Sequence, residues 1–173
     1  MRKWLILGLL PVMLLGCGKQ EVYETVTDEY VQPVSATMQQ AAVQIPEGAA
    51  VSVMHSDETG SLYFCDEYTI SLQTTEAGDL ERTLCDVTGY EKEQLKIIET
   101  ISGNAVRYEC VWVSAGEGEE QVGRTAILDD GNYHYILTCM TDASNALSLQ
   151  EPWQALFSSF CITAPGSDPY TGS

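Results

Sequence analysis

The stretch VGRTAILDDGNYHYILTCMT, residues 122–141, decides the reading of this chain. Two β-rich runs flank Asp130-Gly131, a dipeptide suited to a type I′ hairpin because that turn needs positive φ at both central positions. Such a turn predicts the pairs Asp129–Asn132, Leu128–Tyr133 and Ala126–Tyr135. Side chains alternate along a strand, so Ala126, Leu128, Tyr133, Tyr135, Leu137 and Cys139 would share one face. Ile127, His134, Ile136 and Met140 would share the other. Both sets carry apolar groups, which predicts a sheet covered at least partly on both sides.

Working outward, LKIIETI (95–101) and AVRYECVWVSA (105–115) are two more β-rich runs. SGN and GEGEEQ separate them from each other and from the hairpin, so a four-stranded antiparallel meander is expected. Upstream, AVSVMH (50–55) and SLYFC (61–65) flank a turn-like SDETG. CDEYTISLQTT (65–75) turns at Asp66-Glu67 and then alternates at Tyr68, Ile70 and Leu72. The period changes in GDLERTLCDVTG. Asp79 is placed to cap a helix, Leu80, Leu84 and Val87 recur at four and three, and Gly89 is placed to stop it. EKEQL (91–95) predicts a short helical piece. LSLQEPWQALFSSFCIT (147–163) predicts a helix beginning at Ser148 or Gln150, with Pro152 in its first turn. Trp153, Leu156, Phe157 and Phe160 form a broad apolar stripe that belongs against the sheet.

The chain opens MRKWLILGLLPVMLLGCGKQ. Arg2 and Lys3 precede a short apolar run, the layout of a secretory signal, and a bilayer span needs about 20 apolar residues. Leu14-Leu15-Gly16-Cys17 resembles a bacterial lipobox, although Leu15 is bulkier than the usual residue there. The resemblance implies cleavage between Gly16 and Cys17 and a diacylglyceryl group on the Cys17 sulfur. Two acyl chains anchor stably where one does not. The expected organisation is a signal peptide at 1–16, a lipidated N-terminus and tether at 17–46, one domain at 47–163, and an unpacked tail at 164–173.

Of the 8 basic residues, Arg2 and Lys3 leave with the signal and no acid does, so the formal charge moves from −17 to −19. That excess offers no basic stripe for nucleic acid and keeps an exported domain soluble and off an anionic membrane. Five further cysteines, Cys65, Cys85, Cys110, Cys139 and Cys161, show no C-x-x-C spacing for zinc or thioredoxin-type chemistry. In the meander, Cys110 and Cys139 sit on strands separated by a third, about 9.5 Å apart, beyond the roughly 7 Å reach of a disulfide. Mostly free core thiols are expected.

No esterase elbow, HExxH helix or phosphate loop occurs. His134 lies mid-strand between two tyrosines, the setting of a packed sheet histidine, and His55 ends a strand. Glu117, Glu119 and Glu120 present hard oxygen ligands but match no EF-hand pattern. They read as a solvated turn, as does Asp129-Asp130-Gly131. Cys85 has Arg82 three residues away, the nearest approach to an activated thiol, but core packing explains it. Tyr108, Trp112, Tyr133 and Tyr135 suit a sheet core, with a ligand-lined surface as the alternative.

The meander ending GRTAILDDGNYHYILTCMT, followed by a loop and a helix with an SSF element, is similar to PsbP-like domains across roughly residues 60–162. The resemblance implies an α+β fold in which helices flank an antiparallel sheet meander, used for assembly or binding and not usually for catalysis. It carries no catalytic, metal or cofactor residue onto this chain. The expectation is a lipid-anchored binding or accessory module on the extracytoplasmic face of the cell membrane, meeting a protein partner there, with no cofactor and no enzymatic activity. The alternative is an extracytoplasmic enzyme or divalent-cation-dependent protein whose carboxylate site only the fold assembles.

Overall fold

A computed structural model describes residues 37–52, 59–114 and 120–164. They belong to the unit that spans Gln32–Ser173. The chain order is β1 (Gln40–Ala42), β2 (Ala50–Val51), β3 (Gly60–Phe64), β4 (Tyr68–Glu76), α1 (Leu80–Thr88), a 3₁₀ turn (Lys92–Gln94), β5 (Ile98–Ser102), β6 (Ala105–Ser114), β7 (Gln121–Asp129), β8 (Tyr133–Asp142), α2 (Gln150–Ser159) and β9 (Cys161–Thr163). Seven strands form an antiparallel sheet in the order β2-β3-β4-β8-β7-β6-β5, and β1 pairs with β9 in a separate ribbon. The expected meander is β5 to β8, and β4 docks on its far side.

The hairpin register differs from the expected one by two residues. Asp129 faces His134, Leu128 faces Tyr135 and Ala126 faces Leu137. Gly131 and Asn132 therefore form the tip, and only Gly131, at φ 87°, has positive φ. That suits a type II′ turn, which needs glycine at its first central position, and not the type I′ turn expected at Asp130-Gly131. Asp130 secures this choice. Its Oδ1 accepts from the Asn132 and Tyr133 amides at 2.9 and 2.8 Å, and its own amide donates to the Tyr133 carbonyl at 3.3 Å. A slip of two preserves which side chains share a face, whereas a slip of one would exchange them.

Both faces are covered, as the apolar pattern requires. On one, Ile70, Ala126, Leu128, Tyr135, Leu137 and Cys139 pack against Leu149, Trp153, Leu156, Phe157 and Phe160. On the other, Cys110, Trp112, Ile127 and Ile136 pack against Leu84 of α1, with Leu80, Val87 and Tyr90 at the margin. The helix signals hold. Asp79 accepts from the Glu81 amide at 3.0 Å, and Gly89 closes α1 in the left-handed conformation. Pro152 lies in the first turn of α2, which Phe160 caps. Cys110 and Cys139 point to opposite faces of strands separated by β7, and the five cysteines among the described residues are free thiols.

Two stretches differ from expectation. Residues 40–42, within the expected tether, are drawn into the fold by pairing with residues 161–163. The Gln39 amide also donates to the Tyr135 hydroxyl at 2.9 Å, so the sequence just before β1 is tied to the hairpin. The expected strand 50–55 reaches only Val51, and residues 53–58 lie outside the described residues.

Gly123 shows how closely the α1 face is packed. A Cβ built there would lie 2.3 Å from Trp112 Cε2, and Trp112 Nε1 donates to Thr125 Oγ1 at 3.0 Å. The indole lies across the glycine and is held from leaving. Gly123→Ala should therefore destabilise the domain by about 1–3 kcal/mol, the cost typical of overpacking. The check is the midpoint of chemical unfolding, with unchanged slope.

Candidate functional site

Gly16, Cys17, His55, Glu117 and Glu119 lie outside the described residues. Of the others, Cys110, Trp112, His134, Tyr135 and Cys139 fall in the core. His134 is fully buried; its Nδ1 is 2.9 Å from Thr83 Oγ1 of α1, and its Nε2 is 3.6 Å from Asp129 Oδ2. At that length the Asp129 contact is too long for a hydrogen bond, which agrees with Nε2 having no hydrogen-bond partner. Facing His134, first, and the Gly131 amide hold the Asp129 carboxyl below its ordinary range against the opposing effect of burial. Threonine, histidine and aspartate in a row have the composition of a nucleophile relay. Here the threonine and histidine are buried beneath α1, so no substrate atom reaches them.

The four aromatic candidates do not form one surface. Trp112 and half-buried Tyr108 belong to the α1 face, and Tyr135 and half-buried Tyr133 to the α2 face. Burial, first, and the neighbouring Asp130 carboxylate push the Tyr135 hydroxyl up to about 12. Cys85 meets the wrong sign of charge for activation. Its Sγ is 4.0 Å from Glu91 Oε1, while Arg82 turns to Asp86 at 3.9 Å. Burial pushes the Cys110 thiol up to about 11.

Sequence reasoning missed a charged cluster beneath α2. Arg107 and Arg124 flank Glu109 on the α2 face, with contacts of 2.6 and 2.9 Å. Arg107 also donates to the Phe160 and Phe157 carbonyls at 3.0 and 2.7 Å, and the Arg124 guanidinium lies 4.3 Å from the Phe157 ring centroid. A helix leaves its last carbonyls without internal partners, so Arg107 completes the end of α2 while fixing it to the sheet. The signal was present in the sequence, since 107 and 109 alternate with Tyr108 and Cys110 and must face the opposite side. Only strand order shows that Arg124 joins them.

An apolar stripe lies on the α2 face of β5 and β6. Ile98 and Val111 are 62% and 60% exposed, and Val113 is 38% exposed. β5 reaches only as far as Ile98, opposite Glu109, so β6 itself is the sheet edge at Val111 and Val113. Tyr90 donates its hydroxyl to the Val113 carbonyl there. This uncovered stripe is a candidate contact surface.

The Glu109 cluster yields a pH prediction. Burial raises its carboxyl, but Arg124 and Arg107 together outweigh that and leave it below its ordinary value of 4.5. A depressed carboxylate adds stability above its unfolded-state value, and that stability disappears as pH falls through the lower folded value. Glu109→Gln should cost about 1.5–3 kcal/mol at pH 7, the range for hydrogen bonds to charged groups. The difference from wild type should shrink steadily below pH 4.5 in acid-unfolding curves.

No family model matches this sequence, and no curated protein matches it. Solved structures do. LpqN of Mycobacterium tuberculosis, involved in cell envelope biogenesis, superposes with a TM-score of 0.50 at 10% identity, covering 75% of this chain and 86% of that one. Cyanobacterial PsbP (CyanoP) of Synechocystis sp. PCC 6803 superposes with a TM-score of 0.51 at 12% identity, covering 75% and 95%. At such identities the likeness concerns the fold, and the fold is a PsbP-like α+β arrangement in which sheet predominates.

Proposed function

We propose that this protein is a lipid-anchored, extracytoplasmic binding or accessory module that acts by protein–protein contact and performs no chemistry of its own. The observation that carries the reading is the exposure of Ile98, Val111 and Val113 on one face of the sheet edge, since apolar side chains gathered on one face suit a contact surface. The burial of His134 with Thr83, and of the Cys110 and Cys139 thiols, fits that reading, since these four groups are enclosed. Fold alone is a weak guide to function, but LpqN's involvement in cell envelope biogenesis fits an address at the envelope. The reading as an enzyme or a divalent-cation-dependent protein has less support. Among the described residues, no three His, Cys, Asp or Glu side chains gather as a metal site would need.

The anchor in this proposal is Cys17, cut free after Gly16. Cys17→Ala should abolish metabolic lipid labelling and leave the precursor uncut; labelling that persists would sink the anchor. The contact surface is tested by placing a photo-crosslinking residue at Val111 in intact cells, with Arg82 on exposed α1 as reference. A discrete adduct from position 111 and none from 82 is expected. No adduct, or the same adducts from both, would count against a partner surface at this edge.

A further inference from the structure

We infer that β5 is an open docking edge, and that its occupant is an extended segment of a partner protein carrying basic side chains, added as an eighth strand. This deepens the binding-module reading and rests on it. The backbone direction follows from one contact. Tyr90 donates to the Val113 carbonyl, so that carbonyl points away from β7. Successive residues of a strand direct their N–H and C=O groups to alternate sides. Glu109 and Arg107 therefore point the same way as Val113, toward their β5 partners Ile98 and Thr100. Glu99 and Ile101 then direct their N–H and C=O groups outward, away from the sheet.

Among the described residues no strand pairs with the outer side of β5, and Glu99 is the one charged side chain on it. Native sheets protect their edges with charged side chains, lysine above all, with proline, with bulges or with very short strands. β5 contains neither proline nor lysine, and its register from Ile98↔Glu109 to Ser102↔Ala105 is unbroken. The opposite edge, β2, is two residues long. Ile101 is 85% exposed on the α1 face, and Ile98 is exposed on the α2 face. An added strand would thus meet an isoleucine on each side, together with four backbone hydrogen-bonding groups. This is the arrangement used in peptide recognition by strand addition.

Charge selects the occupant. Glu99 is the one charged side chain in β5. Tyr108, directly opposite, has its hydroxyl pushed up by burial first, then by Glu99 and Asp129, with Lys92 opposing. Exposed Glu91 and Glu93 precede the strand, with Lys92 between them, paired to Glu81 at 3.3 Å, and Lys96 between them and the strand. The chain as a whole has 25 acidic residues against 8 basic ones. A second copy would bring that charge against itself, whereas a basic strand meets a field of opposite sign.

The test uses the full lipidated chain in detergent micelles and three synthetic peptides as probes. One is acetyl-KVTVRVK-amide, one has glutamate at its three basic positions, and one is the basic peptide N-methylated on alternate backbone amides. The basic peptide should slow hydrogen exchange at the Glu99 and Ile101 amides at least tenfold at saturation. The other two should not, and Ile101→Lys should weaken the basic peptide at least tenfold. Ile101 is exposed, so that variant keeps the fold, and its unfolding midpoint checks this. Equal protection by the acidic peptide, no protection by the basic one, or protection that rises with protein concentration without peptide would overturn the inference. The last result would make a second copy the occupant. If position 111 still gives its discrete adduct in cells while these amides stay unprotected, the strand addition fails and the binding-module reading survives.

Discussion

The pairing of β7 with β8 is the constraint on which the rest of the structure depends. These strands are apolar on both faces, so each face has to be removed from water by a different element. α1 covers Ile127 and Ile136, and α2 covers Leu128, Tyr135 and Leu137. The architecture of helices on opposite sides of an antiparallel sheet is thus a consequence of two strands with no polar face. The register is secured by Asp130, whose carboxylate accepts from the turn amides and from the Tyr135 hydroxyl. The same hydroxyl accepts the Gln39 amide, which ties the entry to β1 to the centre of the domain.

The polar groups inside the domain serve this arrangement. Arg107, Glu109 and Arg124 lie where α2 crosses the sheet, and they bring charge into a partly buried place only because each meets a partner. Arg107 serves twice, neutralising Glu109 and completing the last carbonyls of α2. His134 joins α1 to the hairpin through Thr83 and lies opposite Asp129. Trp112 covers Gly123, where a side chain would have no room. Residues that suggest chemistry when read one at a time are thereby explained as joints between layers.

What remains uncovered is the β5 side of the sheet. The central strands are flanked by neighbours and roofed by helices, while β5 has a neighbour on one side only. Its isoleucines and Val111 and Val113 of β6 are exposed, whereas most other large apolar side chains among the described residues are at least partly enclosed. The proposed binding role calls for a stable interior and an open edge, and both lie within one sheet.

The sequence by itself determined the local elements, because their causes are local. Asp79 and Gly89 bound α1, the spacing of Trp153, Leu156 and Phe157 marks the inward face of α2, and strand alternation sorts the two faces of β7 and β8. It also placed Cys110 and Cys139 on strands too far apart to bond. The turn was misjudged because Asp130-Gly131 and Gly131-Asn132 both suit two-residue hairpins, and the side chain of Asp130 decided between them. Face assignment survived because the error was even. Only the tertiary structure decided what depends on strand order and distant partners: β4 beside β8, residues 40–42 paired with 161–163, and Arg124 brought to Glu109 and Phe157. Periodicity states which way a side chain points along its own strand, but not which strand lies beside it. For that reason the open edge at Glu99 and Ile101 is visible only once the order of the sheet is known.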